Sequence, residues 1–154
     1  MTPRFAPFKV APDLTKALLA LEAAVTAGGL EHSLGELVRL RASQINGCAV
    51  CLHMHATEAL AHGESGMRVV MLDAWRDSPL YTDRERAALA WTEALTLIAE
   101  NGASDADYAL VKTQFSEAEL VTLTVMIGAI NTWNRLQIAA RAVHPMPKPA
   151  SAVA

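Results

Sequence analysis

Apolar residues recur at intervals of three and four along most of this sequence, and this period restricts the fold more than any other feature. One such run contains Leu14, Leu18, Leu21 and Val25, a spacing that places side chains on one face of an α-helix. No alternating pattern of apolar and polar residues, which would indicate strands, competes with it. The sequence therefore predicts an all-α helical bundle.

Signals for helix ends divide the chain into seven predicted helices. Glycine and asparagine, which favour helix C-termini, stand together at Asn46-Gly47 and at Asn101-Gly102. Residues suited to N-caps precede four of the helices: Ser33, which is placed to form a capping box with Glu36, and Thr82, Ser104 and Ser116. The predicted helices cover about residues 13–27, 34–45, 48–63, 65–76, 83–100, 105–114 and 117–142.

The length of 154 residues is typical of one domain. We predict an N-terminal arm over residues 1–12, a helical domain over 13–143 and a Pro-rich tail over 144–154, where three prolines disfavour regular structure. Hydrophobic residues make up 52% of the chain and charged residues 19%, which excludes an intrinsically disordered protein.

Charge and hydropathy also narrow the choice of partners and compartment. The formal net charge is −3, so nucleic acid is not an expected partner. The first residues, MTPRFAPFKVAPDLTK, contain no apolar core of signal-peptide length. The longest apolar run, residues 120–130, is too short to span a bilayer. We therefore expect a cytoplasmic protein with no membrane partner.

Both cysteines lie in the segment NGCAVCLHMH, residues 46–55. On a helix that starts near Cys48, the spacings to Cys51 and then His55 place all three side chains on one face, whereas His53 points to another. The helix N-terminus favours a thiolate, and His55 is placed to accept or relay a proton. A thiolate, a second thiol and a nearby base are the parts that a peroxide-reducing centre needs.

Glu36 lies on the preceding predicted helix and has two interpretations. A tight turn at Asn46-Gly47 would fold that helix back beside the next one, so that Glu36 meets His55 and orients it. In the other interpretation, Glu36 serves only the capping box with Ser33.

Residue spacing by itself leaves two further interpretations of the cysteine pair open. Cys48, Cys51 and His55, with His53 or Glu36, would supply enough ligand atoms for zinc. Structural zinc sites, however, usually draw their ligands from two separate clusters, and the remaining histidines look isolated in the sequence, so we predict no metal. The remaining interpretation is that the two cysteines are buried and inert. The isolated histidines are His32, His62 and His144.

The arrangement of Glu36, an eleven-residue gap, Cys48-Ala-Val-Cys51 and His55 resembles the active-site motif of the AhpD-like alkylhydroperoxidases. These proteins belong to the carboxymuconolactone decarboxylase superfamily. The resemblance covers roughly residues 10–142 and is typical of single-domain members. Besides the motif, it is carried by the stretches LVRLRASQINGCAVCLHMH, AHGES, LDAWRDSPLYTDRERAALAWTEALT and FSEAELVTLTVMIGAINTWNR.

The resemblance implies a role for each residue of the motif. Cys51 would be the peroxidatic cysteine that attacks the O–O bond, and Cys48 the resolving cysteine that closes a disulfide. His55 and Glu36 would relay protons to the thiols. The chain departs from the best-known AhpD at Val50, where that protein has a further histidine before its second cysteine. Any help from that histidine in activating the cysteine is absent here.

The resemblance also implies an all-α fold, assembly into homo-trimers or hexamers, and reduction of the disulfide by an external dithiol protein. We therefore expect a thiol-dependent hydroperoxide reductase that uses no metal, flavin or other bound cofactor. Three alternatives remain: a disulfide reductase, a decarboxylase-type acid–base enzyme that uses His55 and Glu36 without thiols, and a ligand-binding helical oligomer with passive cysteines. Asn131, Asn134 and Arg135 are polar residues on the last, otherwise apolar predicted helix. They face the active-site cavity or a subunit interface, or they only make ordinary polar contacts within the protein.

Overall fold

The computed structural model describes residues 2–145, except for the side chain of residue 101. All regular secondary structure in this part of the chain is helical, so the all-α prediction is confirmed. The α-helices are α1 (Pro7–Val10), α2 (Pro12–Ala27), α3 (His32–Asn46), α4 (Ala49–Ala61), α5 (Gly66–Met71), α6 (Asp83–Thr96), α7 (Ile98–Asn101), α8 (Asp105–Lys112) and α9 (Glu117–Ala140), with a 3₁₀ turn at Leu72–Ala74.

Three of the predicted N-caps are confirmed. Thr82, Ser104 and Ser116 begin α6, α8 and α9, and each hydroxyl accepts a hydrogen bond from the backbone N–H three residues later. The acidic side chain at that third position accepts a hydrogen bond from the backbone N–H of the cap, which completes a capping box. The three acidic partners are Glu85, Asp107 and Glu119.

The fourth predicted cap, at Ser33, is wrong. Helix α3 already begins at His32, after Glu31, and no side-chain hydrogen bond caps it. The carboxylate of Glu36 is directed instead into the protein, where it contacts His55 and Arg39. A buried carboxylate requires charged or hydrogen-bonding partners, and this requirement outweighs the modest stabilisation that a capping box provides.

Some predicted helix bounds also differ from the structure. The predicted helix over 65–76 ends at Met71 and continues as a 3₁₀ turn. Arg86 accounts for the end of this segment, because its guanidinium donates hydrogen bonds to the backbone carbonyls of Trp75, Arg76 and Ser78. The predicted helix over 83–100 divides at Leu97 into α6 and α7.

Further differences lie at the two ends of the chain. The predicted N-terminal arm over residues 1–12 contains the short helix α1. Most of the Pro-rich tail predicted over 144–154 lies outside the described residues. The domain bounds themselves stay a prediction.

Helix α3 lies at the centre of the bundle and packs against α4, α6 and α9. Two apolar clusters occupy its two sides, one with Trp91 and Ile127, the other with Leu37 and Leu89. A third, smaller cluster contains Ala42, Cys48, Cys51 and Ile130. The cysteine pair is therefore part of the packed interior between α3, α4 and α9. Among residues 2–145, no helix combines the length and the apolar character needed to cross a lipid bilayer.

The turn between α3 and α4 places the cysteines, and its predicted position at Asn46-Gly47 is confirmed. Gly47 has a left-handed φ of 69°, a conformation that glycine adopts without the penalty of a Cβ atom. Nδ2 of Asn46 lies 3.0 Å from Oδ1 of Asn131 and 2.9 Å from Oδ1 of Asn134. Nδ2 of Asn134 donates a hydrogen bond to Oγ of Ser43 at 3.0 Å. The two asparagines of α9 are thus buried polar contacts that anchor this turn, and neither lines the cavity that contains Cys51.

Candidate active site

The two cysteines meet at the start of α4. Cys48 is the N-cap residue of this helix and Cys51 lies in its first turn. Their Cα atoms are 5.4 Å apart and their sulfurs form a disulfide, the pairing that the resemblance implied. Both residues are buried, with exposed fractions of 1% and 2%.

His55 and Glu36 form a buried pair beside the cysteines. His55 follows Cys51 by one helical turn on α4, and its Nδ1 lies 2.9 Å from Oε2 of Glu36 on α3. The prediction that the turn at Asn46-Gly47 brings Glu36 to His55 is therefore confirmed. When Nδ1–H donates to this carboxylate, the lone pair of the neutral imidazole resides on Nε2.

Arg39 is a member of the site that sequence reasoning missed. Its Nη1 donates a hydrogen bond to Oε1 of Glu36 at 3.3 Å, and its Nη2 donates to Oε2 of Glu22 on α2 at 3.1 Å. Each oxygen of the Glu36 carboxylate therefore has its own partner. The spacing of three residues between Glu36 and Arg39 is a signal that could have suggested this pair.

The charge state of Glu36 follows from these contacts. Burial by itself raises the pKa of its carboxyl group. The hydrogen bond from His55 and the positive charges of His55 and Arg39 outweigh burial, so that the pKa lies below the ordinary value of 4.5. Glu36 is thus a carboxylate at neutral pH, a state in which it accepts the hydrogen bond that orients the His55 ring.

A cavity of about 430 Å³ opens onto this group of residues. Cys51, His55, Glu36 and Arg39 contribute to its wall, whereas Cys48 does not. Of the two sulfurs, therefore, that of Cys51 belongs to the residue that borders the cavity. The surface of the lining is mostly apolar, although half of the ten remaining lining residues are polar. The volume falls in the range of small-molecule sites. The apolar lining includes Phe8, Leu19, Val50, Met54 and Trp133.

Comparison with known proteins assigns this fold and site to a family. Residues 12–94, just over half of the chain, match the model of the carboxymuconolactone decarboxylase family. The chain belongs to the carboxymuconolactone decarboxylase family. A relative in Bacillus subtilis (strain 168), the uncharacterized protein YdfG, is 34% identical over 139 residues, which are 90% of this chain and 95% of YdfG.

Solved structures support the same assignment. ATU0492 of Agrobacterium tumefaciens, a protein of unknown function that has been proposed to be the antioxidant defence protein AhpD, has a TM-score of 0.92 and 45% sequence identity. That match covers 95% of this chain and 100% of ATU0492. The debrominase Bmp8 has a TM-score of 0.76 at 20% identity, over 87% of this chain and 72% of Bmp8. At that identity the likeness concerns the fold alone. The AhpD-like resemblance seen in the sequence is confirmed.

Val50 and His53 are close to the cysteines in the sequence, and the structure places them differently relative to the cavity. Val50, which stands where the best-known AhpD has a further histidine, adds an apolar surface to the cavity. His53 does not line the cavity, in agreement with its predicted placement on another face of the helix. It is half-buried, and its ring stacks on that of His144 with centroids 5.0 Å apart.

The prediction that the other histidines are isolated is wrong. The rings of His32 and His62 lie with their centroids 4.4 Å apart, and Glu58 adjoins both. His144 lies against His53. These residues are 30 and 91 positions apart in the sequence, so only the packing of α3 against α4, and of the C-terminal segment against α4, brings them together.

Proposed function

We propose that the protein is a thiol-dependent hydroperoxide reductase that acts on organic hydroperoxides. The position of Cys51 carries this proposal. Its sulfur borders an apolar cavity, pairs with Cys48 in a disulfide, and stands one helical turn from the buried pair of His55 and Glu36. Membership of a family with AhpD-like members supports the same activity.

The proposed reaction begins from the reduced dithiol. The Cys51 thiolate attacks the outer oxygen of the hydroperoxide ROOH, the O–O bond breaks, and RO⁻ takes a proton to leave as ROH. Cys51 is then a sulfenic acid. The Cys48 thiol attacks the Cys51 sulfur, the S–O bond breaks, and the oxygen leaves as water. The protein loses two electrons as the dithiol becomes a disulfide, and the hydroperoxide gains them.

The residues around the sulfurs have separate roles in this proposal. Backbone N–H groups at the start of α4 stabilise negative charge on Cys51. His55 accepts the thiol proton and delivers a proton to the leaving oxygen. Glu36 is a positioning residue, because it acts through His55 by fixing the ring and balancing its positive charge.

The lining of the cavity favours an organic substrate over hydrogen peroxide. Hydrogen peroxide is small and polar and gains nothing from contact with Phe8, Leu19, Met54 or Trp133. An alkyl or aryl group attached to the peroxide transfers its apolar surface from water to these side chains, which is favourable.

An external dithiol protein completes the proposed cycle by thiol–disulfide exchange. Its thiolate attacks the Cys51 sulfur, Cys48 leaves as a thiolate, and the second donor thiol then releases Cys51. No bound metal or organic cofactor takes part. We place this cycle in the cytoplasm, where such donors keep thiols reduced.

Alkylation and intact mass test the proposal on a chain with only two cysteines. The reduced protein is treated with one equivalent of cumene hydroperoxide, denatured in an alkylating agent and weighed. We expect both alkylation sites to disappear together and to return after treatment with a dithiol. Two thiols that stay fully alkylatable would contradict the proposal.

Single cysteine variants test the assignment of the two sulfurs. Cys48→Ser should consume one equivalent of hydroperoxide and accumulate a sulfenic acid on Cys51 that dimedone traps. Cys51→Ser should consume none. Consumption of hydroperoxide by Cys51→Ser at the wild-type rate would overturn the assignment of Cys51 as the nucleophile.

The same variants distinguish the alternative functions. A reaction on another substrate that survives both cysteine substitutions but fails in His55→Ala would indicate the acid–base enzyme. Reduction of a small disulfide at a higher kcat/KM than that of any hydroperoxide would indicate the disulfide reductase.

A further inference from the structure

We propose that His32, Glu58 and His62 bind one transition-metal dication of the Zn²⁺ class where the cavity meets solvent. Each residue offers one ligand atom, and the three atoms lie within 4.8 Å of one another. All three side chains are exposed. Two imidazoles and one carboxylate are a ligand set that zinc commonly uses, with the remaining position open to water.

The geometry is close to that of a bound ion. Oε1 of Glu58 lies 3.9 Å from Nε2 of His32 and 3.4 Å from Nδ1 of His62. Ligands about 2.0 to 2.1 Å from a tetrahedral zinc ion are roughly 3.4 Å apart. Small rotations of exposed side chains cover the difference. Nδ1 of His62 also lies 3.0 Å from the backbone carbonyl oxygen of Glu58. An ion bound through Nδ1 therefore replaces this hydrogen bond, with the lone pair of the neutral imidazole on Nδ1 in that tautomer.

The cluster has little structural value without an ion. Exposed ion pairs contribute at most a small amount to stability, and these three side chains are all exposed. Two imidazoles at a centroid separation of 4.4 Å repel each other when both are protonated. A dication between them and the carboxylate turns this arrangement into a favourable one.

The position of the site indicates what binding would do. His32 is the first residue of α3, Glu58 lies in the last turn of α4, and His62 is its C-cap residue. An ion bound by all three therefore joins the helix that carries Glu36 to the helix that carries Cys51 and His55. Because metal binds the folded state selectively, it should raise the melting temperature of the protein.

Calorimetric titration with Zn²⁺ tests the site. The protein is used with Cys48 and Cys51 in the disulfide state, because free thiolates would themselves bind zinc. We expect one Zn²⁺ per chain and, at about 100 times the Kd, a rise in melting temperature of roughly 5 to 10 °C. Mg²⁺, which prefers oxygen ligands, should produce neither effect.

Histidine variants locate the ion. His32→Ala and His62→Ala should each weaken Zn²⁺ binding by at least about tenfold, because even the loss of an outer-shell partner typically costs 10- to 100-fold. His53→Ala is the matched control: it removes a histidine from the stacked pair of His53 and His144 and should bind Zn²⁺ as the wild type does. Absence of binding to the wild type, or unchanged binding by the His32 and His62 variants, would overturn the site. Loss of binding only in His53→Ala would overturn it equally. None of these measurements depends on peroxidase activity.

Discussion

Glu36 and His55 are 19 residues apart in the sequence, yet Oε2 of one lies 2.9 Å from Nδ1 of the other in the packed interface of α3 and α4. The carboxylate has no free oxygen, since Arg39 contacts the second one. This arrangement holds the His55 ring at the cavity wall in a fixed orientation. Glu36 thus connects α3 to α4 and positions the residue that acts in the proposed proton transfer.

Replacement of this carboxylate is expected to impair hydroperoxide reduction without changing the cysteines. Glu36→Gln keeps the size of the side chain but cannot balance a protonated His55. Since general acid–base catalysis typically contributes about 100-fold or more, we expect kcat/KM to fall on the order of tenfold or more. Stopped-flow measurement of hydroperoxide consumption over a range of pH tests this. Glu22→Gln, which alters the other carboxylate that contacts Arg39 at the cavity wall but no contact of Glu36 itself, is the control and should stay near wild type. Equal losses in both variants would contradict the role of Glu36.

We expect the apolar residues of the cavity wall to determine the preference for organic hydroperoxides over hydrogen peroxide. Leu19→Gln places an amide on the cavity lining and should raise KM for cumene hydroperoxide by about tenfold, while that for hydrogen peroxide stays unchanged. Leu21 is also exposed on α2 but does not line the cavity, so Leu21→Gln is the matched control. Steady-state kinetics with both peroxides checks the prediction. A similar increase for both substrates would mean that the wall does not select for organic groups.

The asparagine contacts at the turn between α3 and α4 should contribute strongly to stability. Asn134 is fully buried, and its replacement by Ala leaves Asn46 and Ser43 with one partner fewer. Buried groups that lose a partner typically cost about 1 to 3 kcal/mol. We expect urea unfolding to show a loss of roughly 2 kcal/mol for Asn134→Ala. Thr132→Ala, at an exposed position of the same helix, should lose less than about 0.5 kcal/mol. A loss for Asn134→Ala as small as this would show that the turn does not depend on the network.

We expect the interactions of Glu119 at the start of α9 to stabilise the protein less in acid than at neutral pH. The pKa of Glu119 is lowered from 4.5 to about 2, first by the backbone N–H of Ser116, then by the Ser116 hydroxyl and by Arg84. Because the folded-state pKa is the lower one, this stabilisation is complete above pH 4.5 and is lost as the pH falls towards 2. Glu119→Gln should therefore lower stability at neutral pH and show a smaller further loss on acidification.

Urea unfolding at a series of pH values measures how the free energy of unfolding depends on pH in the wild type and in Glu119→Gln. Glu117→Gln is the control, since no hydrogen bond involves the Glu117 side chain within the described residues. It should follow the wild-type dependence on pH. A wild-type slope that persists unchanged in Glu119→Gln would assign the acid lability to other carboxylates, such as Glu36 or Glu93, whose pKa values are also lowered.

Self-association is a further prediction that follows from the resemblance to AhpD-like proteins. Several large apolar residues of the N-terminal helices are exposed in the single chain, among them Val10 and Leu14 at 72% and 71%. Such exposure is typical of surfaces that a partner covers. We expect a homo-trimer or hexamer, with a mass of roughly three or six times 16.5 kDa. Light scattering coupled to size exclusion measures this mass, and a value near one chain would contradict the prediction.

Features that depend on residues near each other in the sequence could be predicted from it. The helical period, the breaks at Asn46-Gly47 and Asn101-Gly102, and the caps at Thr82, Ser104 and Ser116 all involve contacts within about four residues. The shared face of Cys51 and His55 has the same origin, because α-helical geometry alone sets it. For these features, local hydrogen bonding and side-chain spacing determine the outcome.

The partners of the polar side chains depend instead on how the helices pack. Ser33 and Glu36 had the right spacing for a capping box, but burial of Glu36 between α3 and α4 made His55 and Arg39 its partners. The same packing placed His32 beside His62, formed the cavity next to Cys51 and left Cys48 outside its wall. Sequence alone therefore determined the class of fold and the set of candidate site residues on α4. Tertiary contacts decided which of those residues meet, because a buried charge takes the partners that the neighbouring helices bring to it.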